Sequence, residues 1–575
     1  MINFATKSPL ILALFITACH FKDEKNDNAV KIETFMIHKE MKSLKRDELL
    51  MKINRDRFDI LIIGGGATGA GAALDSASRG LKTALIEAQD FSFGTSSRST
   101  KLVHGGVRYL ENAVKHFDYQ EYTLVRDALA ERKRFLENAS HLACPLPLIT
   151  PVYGWFEAFY YLMGLKLYDM ISGTETLGQS RFISQKKALE LFPLLKKDNL
   201  KGAVLYYDGQ FDDARMNISL ILSAIREGAI ALNYVKAKTL IKENGSVVGV
   251  KVRDMLTQEE WPIYAKVVIN ATGSFADKIR KMDNENATDL IEASQGSHLL
   301  LPESFSSPKS GLVIPKTKDG RVLFLLPWQG KTLAGTTDHP EQTKDNPKVT
   351  KEEVDYILAH ISQYFSIPLK KSDIVATFSG LRPLVKPKEA IKTASISRDH
   401  MIEVTPSKLV TIVGGKWTTY RKMAQDVVDI AVKTGDLSPN NPSKTKDLKL
   451  VGAKFYKESL ADELLAQNIE PDIAKHLAQS YGDQAFLVLE IKKPERLLKG
   501  YPYILAEVIY AVRYEYAQHA IDVLARRMRL AFLDTHAARI SLPTVVSLMA
   551  KELLWDHARV NEELKMGEEY LAQSY

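Results

Sequence analysis

The chain has 575 residues, enough for two or three domains with a large core, and its 45% hydrophobic and 26% charged residues are ordinary for a globular protein. A net charge of +7 is modest for that length; it suits an anionic small substrate, an anionic membrane face or a solvated surface, and no nucleic-acid partner is expected. No apolar run reaches the roughly 20 residues that a bilayer span needs, and two cysteines, Cys19 and Cys144, provide neither a disulfide framework nor zinc spacing, so no metal is expected.

Residues 1–55 read as a leader, poorly ordered or signal-like. Lys7 precedes an apolar stretch from Leu10 to Ala18, and Ile16-Thr17-Ala18-Cys19 resembles a bacterial lipoprotein processing site. Met36, Met41 and Met51 all precede the first strand signal, so an over-extended start is the alternative reading. Phe21 to Leu50 is polar and charge-rich, a composition that buries little.

The apolar run from Asp59 to Ile63 suits a strand covered on both faces, and it stops at Gly64-Gly65-Gly66-Ala67-Thr68-Gly69 before residues at helical spacing. Gly64, Gly66 and Gly69 make a Gly-x-Gly-x-x-Gly pattern: a tight turn, close approach of a pyrophosphate, and close packing of helix on strand. A second strand, Leu81 to Ile86, ends in Glu87, at a spacing that suits a carboxylate accepting a ribose hydroxyl. These features point to a dinucleotide site.

Further along, Phe117 to Asn138 has the spacing of a long amphipathic helix. Pro145, Pro147 and Pro151 break that pattern and lead into an aromatic cluster from Trp155 to Tyr168. That cluster is too short to span a bilayer; it predicts either an interfacial helix exposing Trp155, Phe159, Tyr160 and Met163, with Lys166 toward the headgroups, or the core of a cap domain. Strand signals return at Ala203–Tyr207, Val247–Val252 and Val267–Ile269, the last ending in Asn270-Ala271-Thr272-Gly273. Short strands such as 321–326 and Thr332–Gly335 suggest an antiparallel sheet over a pocket, and Leu409–Val413 gives a buried strand halted at Gly414-Gly415-Lys416. After about residue 440 the texture is helical: Ile521, Leu524, Met528 and Phe532 repeat at helical spacing beside Arg526, Arg527 and Arg529.

Four stretches place a cation beside glycine or a strand end: Ser99 to Tyr109, Gly296-Ser297-His298, Ser379-Gly380-Leu381-Arg382-Pro383, and Gly414 to Tyr420. Together they imply an anionic ligand, since Arg forks match phosphate oxygens and glycine lets the backbone come close. From these residues, with the glycine turn, Thr95 to Leu110, Tyr206 to Gln210 and Asp212-Asp213-Ala214-Arg215, the chain resembles the FAD-dependent glycerol-3-phosphate dehydrogenases, most closely the mitochondrial type, over roughly residues 56–570. One departure is that no Asp-rich EF-hand loop of the kind found in the calcium-binding extension of animal forms occurs, so calcium control is not expected.

The resemblance implies an α/β fold: a Rossmann-like FAD-binding domain of the glutathione-reductase or D-amino-acid-oxidase type, an inserted α+β substrate or cap domain, and a C-terminal α-helical domain. The oxidoreductase part would run over 56–435, with discontinuous FAD segments near 56–110, 200–290 and 375–435, and the helical domain over 440–575. It also implies oxidation of sn-glycerol 3-phosphate to dihydroxyacetone phosphate through FAD, with electrons passed to a membrane quinone. Cofactor contacts are then expected from Gly64 to Gly69 including Gly65, Ala67 and Thr68, from Glu87, and from Thr95, Ser96, Ser97, Lys101, Leu102, His104, Gly105 and Gly106. Ala271, Thr272, Gly273, Gly415, Lys416 and Thr418 complete that set. Arg108, Tyr109 and Lys416 are the expected phosphate and substrate clamp, with Arg382 nearer the reacting carbons and His104 as base; a histidine that only contacts flavin or orders the loop is the alternative for His104. A helix from Thr418 would aim its positive end at the flavin pyrimidine ring. Still open are a glycerol-3-phosphate oxidase using oxygen, a non-catalytic flavin-binding protein and, from the glycines alone, an NAD dehydrogenase; a homodimer is also open. Reduction of a lipid-soluble quinone implies a peripheral position on the cytoplasmic face of a bacterial inner membrane, or alternatively on the mitochondrial inner membrane. Export of a flavoprotein by the Sec route would separate it from its cofactor supply, which weighs against the lipoprotein reading.

Overall fold

The computed structural model describes residues 45–106, 110, 119–315, 322–386 and 400–573. The β-branched and leucine run forms the strand Arg57–Ile63, whose last four residues are all buried, inside an eight-stranded sheet. It pairs in parallel with Thr83–Ile86 on one side and Glu260–Asn270 on the other. Ile230–Leu232 and Val410–Gly414 extend the parallel order outward, and His400–Val404 closes one edge antiparallel. Parallel neighbours need crossovers that cover the faces. Here the helix Ala67–Ser78 packs between Asp213–Arg226 and Tyr420–Thr434, and Gly71 lets Tyr420 approach, since a Cβ there would lie 3.1 Å from the ring.

A second, mostly antiparallel sheet has ten strands among the described residues. Its longest pairings are Ala143–Val152 with Gly202–Phe211 and Ile291–Pro302 with Ala376–Val385. The expected antiparallel pair is present as Leu323–Trp328 and Lys331–Gly335. Gly202–Phe211 and Ala376–Val385 therefore lie in this sheet, although the sequence reading grouped both with the nucleotide segments. Local apolarity identifies a strand but not the sheet that its register joins.

The leader expected to reach residue 55 is shorter at its end. Arg46–Arg55 is a helix that buries Leu49 and Ile53, four residues apart on one face, in the core of the nucleotide domain. Arg46 anchors it through Asp254 at 3.0 Å. Earlier leader residues, Cys19 among them, lie outside the described residues.

The helix Trp155–Ser172 buries Ala158, Leu165, Tyr168 and Ser172 along one stripe. Trp155 is 66% exposed and Phe156 83%, and Phe159, Tyr160, Met163 and Lys166 are exposed as well. The cap-core alternative for this outward face is excluded by that exposure. No helix among the described residues is long and apolar enough to cross a membrane. Beyond residue 440 the chain is helical, with cores of its own, but the regular spacing expected near Ile521–Phe532 is interrupted: Asp522–Arg527 is π-helical and Arg529 adopts φ +67°.

Candidate cofactor and substrate site

Gly64, at φ +111°, turns the chain at the end of the first strand, where a Cβ would lie 2.6 Å from the Ala271 carbonyl oxygen; a Cβ on Gly69 would lie 1.8 Å from that of Gly64. Helix and strand thus approach to backbone contact, which leaves glycine as the residue that fits. Gly66 is the N-cap of Ala67–Ser78 and offers no side chain to its first turn, which includes Thr68. Instead Ser96 Oγ accepts the Ala67 N–H at 2.9 Å. Glu87 Oε2 accepts the Gly65 N–H at 2.7 Å and Oε1 the Gln89 N–H at 3.0 Å. Burial raises the proton affinity of this carboxyl and the N–H donors oppose the rise. A helix N-terminus whose N-cap residue carries no side chain, a turn whose Cβ positions are filled, and a carboxylate with lone pairs to spare form a set of groups that fits a dinucleotide such as FAD.

The next segment is drawn in from several sides. Thr95–Ser97 is one 3₁₀ turn; Thr95 Oγ1 donates to the Leu381 carbonyl at 2.6 Å, and Trp417 Nε1 donates to that of Ser96 at 3.2 Å. Lys101 is buried and donates from Nζ to Asp213 at 2.7 Å and to the carbonyls of Ser97 and Ser99. Desolvation brings its pKa down to about 8 despite Asp213. What Lys101 has left for a cofactor is therefore its main chain, because its ammonium is committed within the protein. Leu102 and Val103 pair with Gln210 and Gly209. His104 follows, half-buried, with its proton affinity pushed down to about 3 by desolvation first and then by the cations of Lys416 and Arg132. The Gly105 N–H donates to Tyr168 Oη at 2.9 Å, and Gly106 sits at φ +89°. Arg108 and Tyr109 lie outside the described residues.

Three more segments close on this loop. Ala271 N–H donates to the Ile63 carbonyl at 2.9 Å, and Ser274, just after Thr272 and Gly273, donates from Oγ to the Leu381 carbonyl at 3.2 Å. Gly414 and Gly415 both have positive φ, and Lys416 precedes a 3₁₀ turn, Trp417–Thr419, that opens the helix Tyr420–Thr434. Thr418 Oγ1 donates to the His104 carbonyl at 3.3 Å. Arg382 crosses its strand neighbour above Gly296, where a Cβ would lie 2.4 Å from Nη2, and donates to Thr336 Oγ1 at 3.0 Å and the Thr337 carbonyl at 3.2 Å. What the Gly296-Ser297-His298 stretch gives the Arg382 guanidinium is room at Gly296. Its histidine is buried against Phe378, with Nε2 3.0 Å from Thr100 Oγ1, and desolvation with nearby Lys101 and Arg382 holds it well below ordinary basicity, so it brings no charge to an anion.

Residues given no role from sequence complete the frame. Arg132 donates to Asp208 at 2.7 Å and to Tyr168 Oη at 3.1 Å beneath Gly105, and Asp213 gathers Ser99, Lys101 and Arg529. Asp208, Asp212 and Asp213 belong to quoted motifs, but the only local signal was an N-cap aspartate before a helix, and Asp212 fills that role.

A family model described as FAD dependent oxidoreductase matches residues 59–419, and one described as the C-terminal domain of alpha-glycerophosphate oxidase matches 443–560. The chain is 46% identical over 542 residues to the human protein named glycerol-3-phosphate dehydrogenase, mitochondrial, covering 91% of this chain and 74% of that one. The Caenorhabditis elegans protein named probable glycerol-3-phosphate dehydrogenase, mitochondrial, is 48% identical over 542 residues, covering 92% and 75%. Among solved structures, glycerol-3-phosphate dehydrogenase from Bacillus halodurans complexed with FAD superposes with a TM-score of 0.75 at 30% identity, covering 92% of this chain and 97% of that one.

Proposed function

Since the chain belongs to the FAD-dependent oxidoreductases and, within them, to the glycerol-3-phosphate dehydrogenases, we propose that it oxidises sn-glycerol 3-phosphate to dihydroxyacetone phosphate and delivers the electrons to a membrane quinone. Bound FAD supplies the two-electron acceptor for the hydride that leaves carbon 2. The protein must do the rest: hold the cofactor, fix the phosphate and take the hydroxyl proton.

Gly64 to Gly69, with Thr68 in the first helical turn, and Ala271 to Gly273 line the cofactor's phosphates, and Glu87 takes the adenosine ribose. The segments Thr95–Gly106 and Gly415–Thr418 hold its flavin end, with the N-terminal end of the 3₁₀ turn and helix after Lys416 favouring negative charge there. Lys416 and Arg382, joined by Arg108 and Tyr109, hold the substrate phosphate and the oxygen at carbon 2. The observation that carries this reading is the Leu381 carbonyl, which accepts from both Thr95 and Ser274 and so seats Arg382 against two cofactor segments.

His104 accepts the proton. A ring held neutral by burial and by Lys416 is ready to accept, and a phosphate dianion beside Lys416 offsets that cation and strengthens the base as substrate arrives. Arg382 favours the alkoxide side of the same step.

The exposed aromatic face of Trp155–Ser172 supports the quinone as acceptor. Trp155, Phe156, Phe159 and Met163 would enter the headgroup boundary, with Lys166 toward anionic lipid, so that the enzyme lies on the membrane without crossing it. Its place is then an energy-transducing membrane: the relatives from animals are named mitochondrial and the solved relative is bacterial. An oxygen electrode with and without a quinone analogue tests the acceptor. Product formation that rises with the quinone and lacks matching oxygen uptake supports the reading, whereas oxygen uptake equal to product without quinone would make the protein an oxidase.

A further inference from the structure

Arg526, Arg527 and Arg529 lie in the C-terminal helical domain, and each is at most 2% exposed. Three like charges within four residues leave water only if oppositely charged partners meet them. Asp522 and Glu515 supply part of that charge from the same domain, and the rest comes from the nucleotide domain. Arg526 Nε donates to Asp90 Oδ2 at 2.5 Å, and Arg527 binds the same carboxylate through Nη1 and, at 3.0 Å, through Nη2. Asp90 lies three residues after Glu87, one beyond the Gln89 N–H that Glu87 accepts. Arg529 Nη2 donates to the Ser97 carbonyl at 2.7 Å and to Asp213 Oδ1 at 3.2 Å. The other oxygen of Asp213 takes the Ser99 N–H, Ser99 Oγ and Lys101 Nζ.

The backbone is irregular at the same place. Asp522–Arg527 is π-helical, and Arg529 at φ +67° faces Lys101 at φ +64° across Asp213. Both are long cationic residues in a conformation that costs a non-glycine residue energy, and irregular helix of this kind concentrates at functional sites. An interface built only to join two domains could use regular helix; this one spends its irregularity on reaching the two segments that flank the cofactor contacts.

We propose that Arg526, Arg527 and Arg529 are positioning residues of the flavin site, so that the C-terminal helical domain shapes the stretch from Glu87 to Lys101 and is energetically coupled to FAD. The proposal rests on the reading that Gly64 to Gly106 holds FAD. Coupling is reciprocal: if the arginines favour the cofactor-binding shape of this stretch, bound FAD must in turn secure the arginines.

The test uses the full chain, stripped of flavin and titrated with FAD. Arg529→Gln and Asp90→Asn should each bind FAD at least about fivefold more weakly than the wild type, within the usual range of coupling between sites, and should change the resolved shape of the bound-flavin absorption band. Arg513→Gln, which breaks the exposed Arg513–Glu552 pair of the same domain, should leave both unchanged. In the wild-type protein, hydrogen exchange over residues 522–533 should slow when FAD is added, a measurement that stands even where a variant fails to fold. Wild-type FAD affinity and spectrum in both variants, or exchange over 522–533 that ignores FAD, would overturn the coupling while leaving the flavin reading intact. A wild-type chain that takes up no FAD would overturn both.

Discussion

Tyr168 Oη receives the Gly105 N–H at 2.9 Å and donates to Asp208 at 3.0 Å, so one helix presents aromatic side chains outward and holds the loop of His104 with its inner face. Tyr168→Phe keeps the ring and leaves Gly105 N–H with Asp208 alone at 3.4 Å. The loss of a buried hydrogen bond should cost about 1–3 kcal/mol of stability. Flavin reduction by substrate should slow by more than flavin content falls, because the fault lies at the His104 loop at the flavin end and leaves the glycine turn intact. Unchanged stopped-flow reduction would remove Tyr168 from the positioning of that loop.

Glu87→Ala should weaken FAD retention, since it removes both the proposed ribose acceptor and the partner of Gly65 N–H. Glu87→Gln keeps an acceptor oxygen and should lose less. Flavin occupancy after dilution and gel filtration orders the three proteins; full occupancy in the alanine variant would refute the role given to Glu87.

The pH behaviour of His104 follows from its suppressed basicity. An ordinary histidine titrates near 6.5, whereas burial, Lys416 and Arg132 hold this one at about 3 in the substrate-free protein. The folded site therefore refuses a proton that the unfolded chain accepts below pH 6.5, so this ring subtracts from stability as pH falls from 6.5 toward 3 and subtracts nothing above that window. For activity, the ratio of kcat/KM between wild type and His104→Gln cancels the ionisation of the substrate phosphate near pH 6. That ratio should stay level from about pH 8 to pH 5, because kcat/KM reports the free enzyme. A ratio that collapses around pH 6.5 would indicate an ordinary, solvated histidine.

Trp155→Ser with Phe159→Ser should release the protein from membranes to the soluble fraction. Both side chains are exposed, so the melting temperature should hold, with each change within about 0.5 kcal/mol as is usual at the surface. Oxidation of substrate by a soluble dye should persist. Unchanged sedimentation with membranes would rule out this helix as the anchor.

The parts of the molecule legible in sequence were those with a local chemical signature. Gly64 and Gly69 stand where a Cβ would strike backbone, and that constraint is written in the Gly-x-Gly-x-x-Gly spacing. The exposed face of Trp155–Ser172 was legible only as apolar, because an interfacial helix and a core helix share a composition and are told apart by their surroundings. Arg526, Arg527 and Arg529 read as the charged side of a regular helix; their partners Asp90 and Asp213 lie more than 300 residues away, and no local pattern announces a pairing at that distance. Arg382 was legible as a cation by a glycine, whereas Gly296, the residue that gives it room, belongs to a neighbouring strand. Leu49 and Ile53 were lost inside a charge-rich stretch because two apolar residues suffice to dock one short helix.

Lys416→Ala should impair the use of glycerol 3-phosphate far more than folding, since a charged hydrogen bond contributes roughly 1.5 to 3 kcal/mol, or about 10- to 150-fold in kcat/KM. Activity with glycerol should barely change. An unaltered preference for the phosphorylated substrate would take Lys416 out of the clamp.

The most direct test of the account is the visible spectrum of the purified protein under anaerobic conditions, before and after substrate. A bound flavin absorbance that bleaches on addition of sn-glycerol 3-phosphate, and not on addition of glycerol, is the predicted result. A protein without flavin absorbance, or one whose flavin stays oxidised with saturating glycerol 3-phosphate, would contradict it.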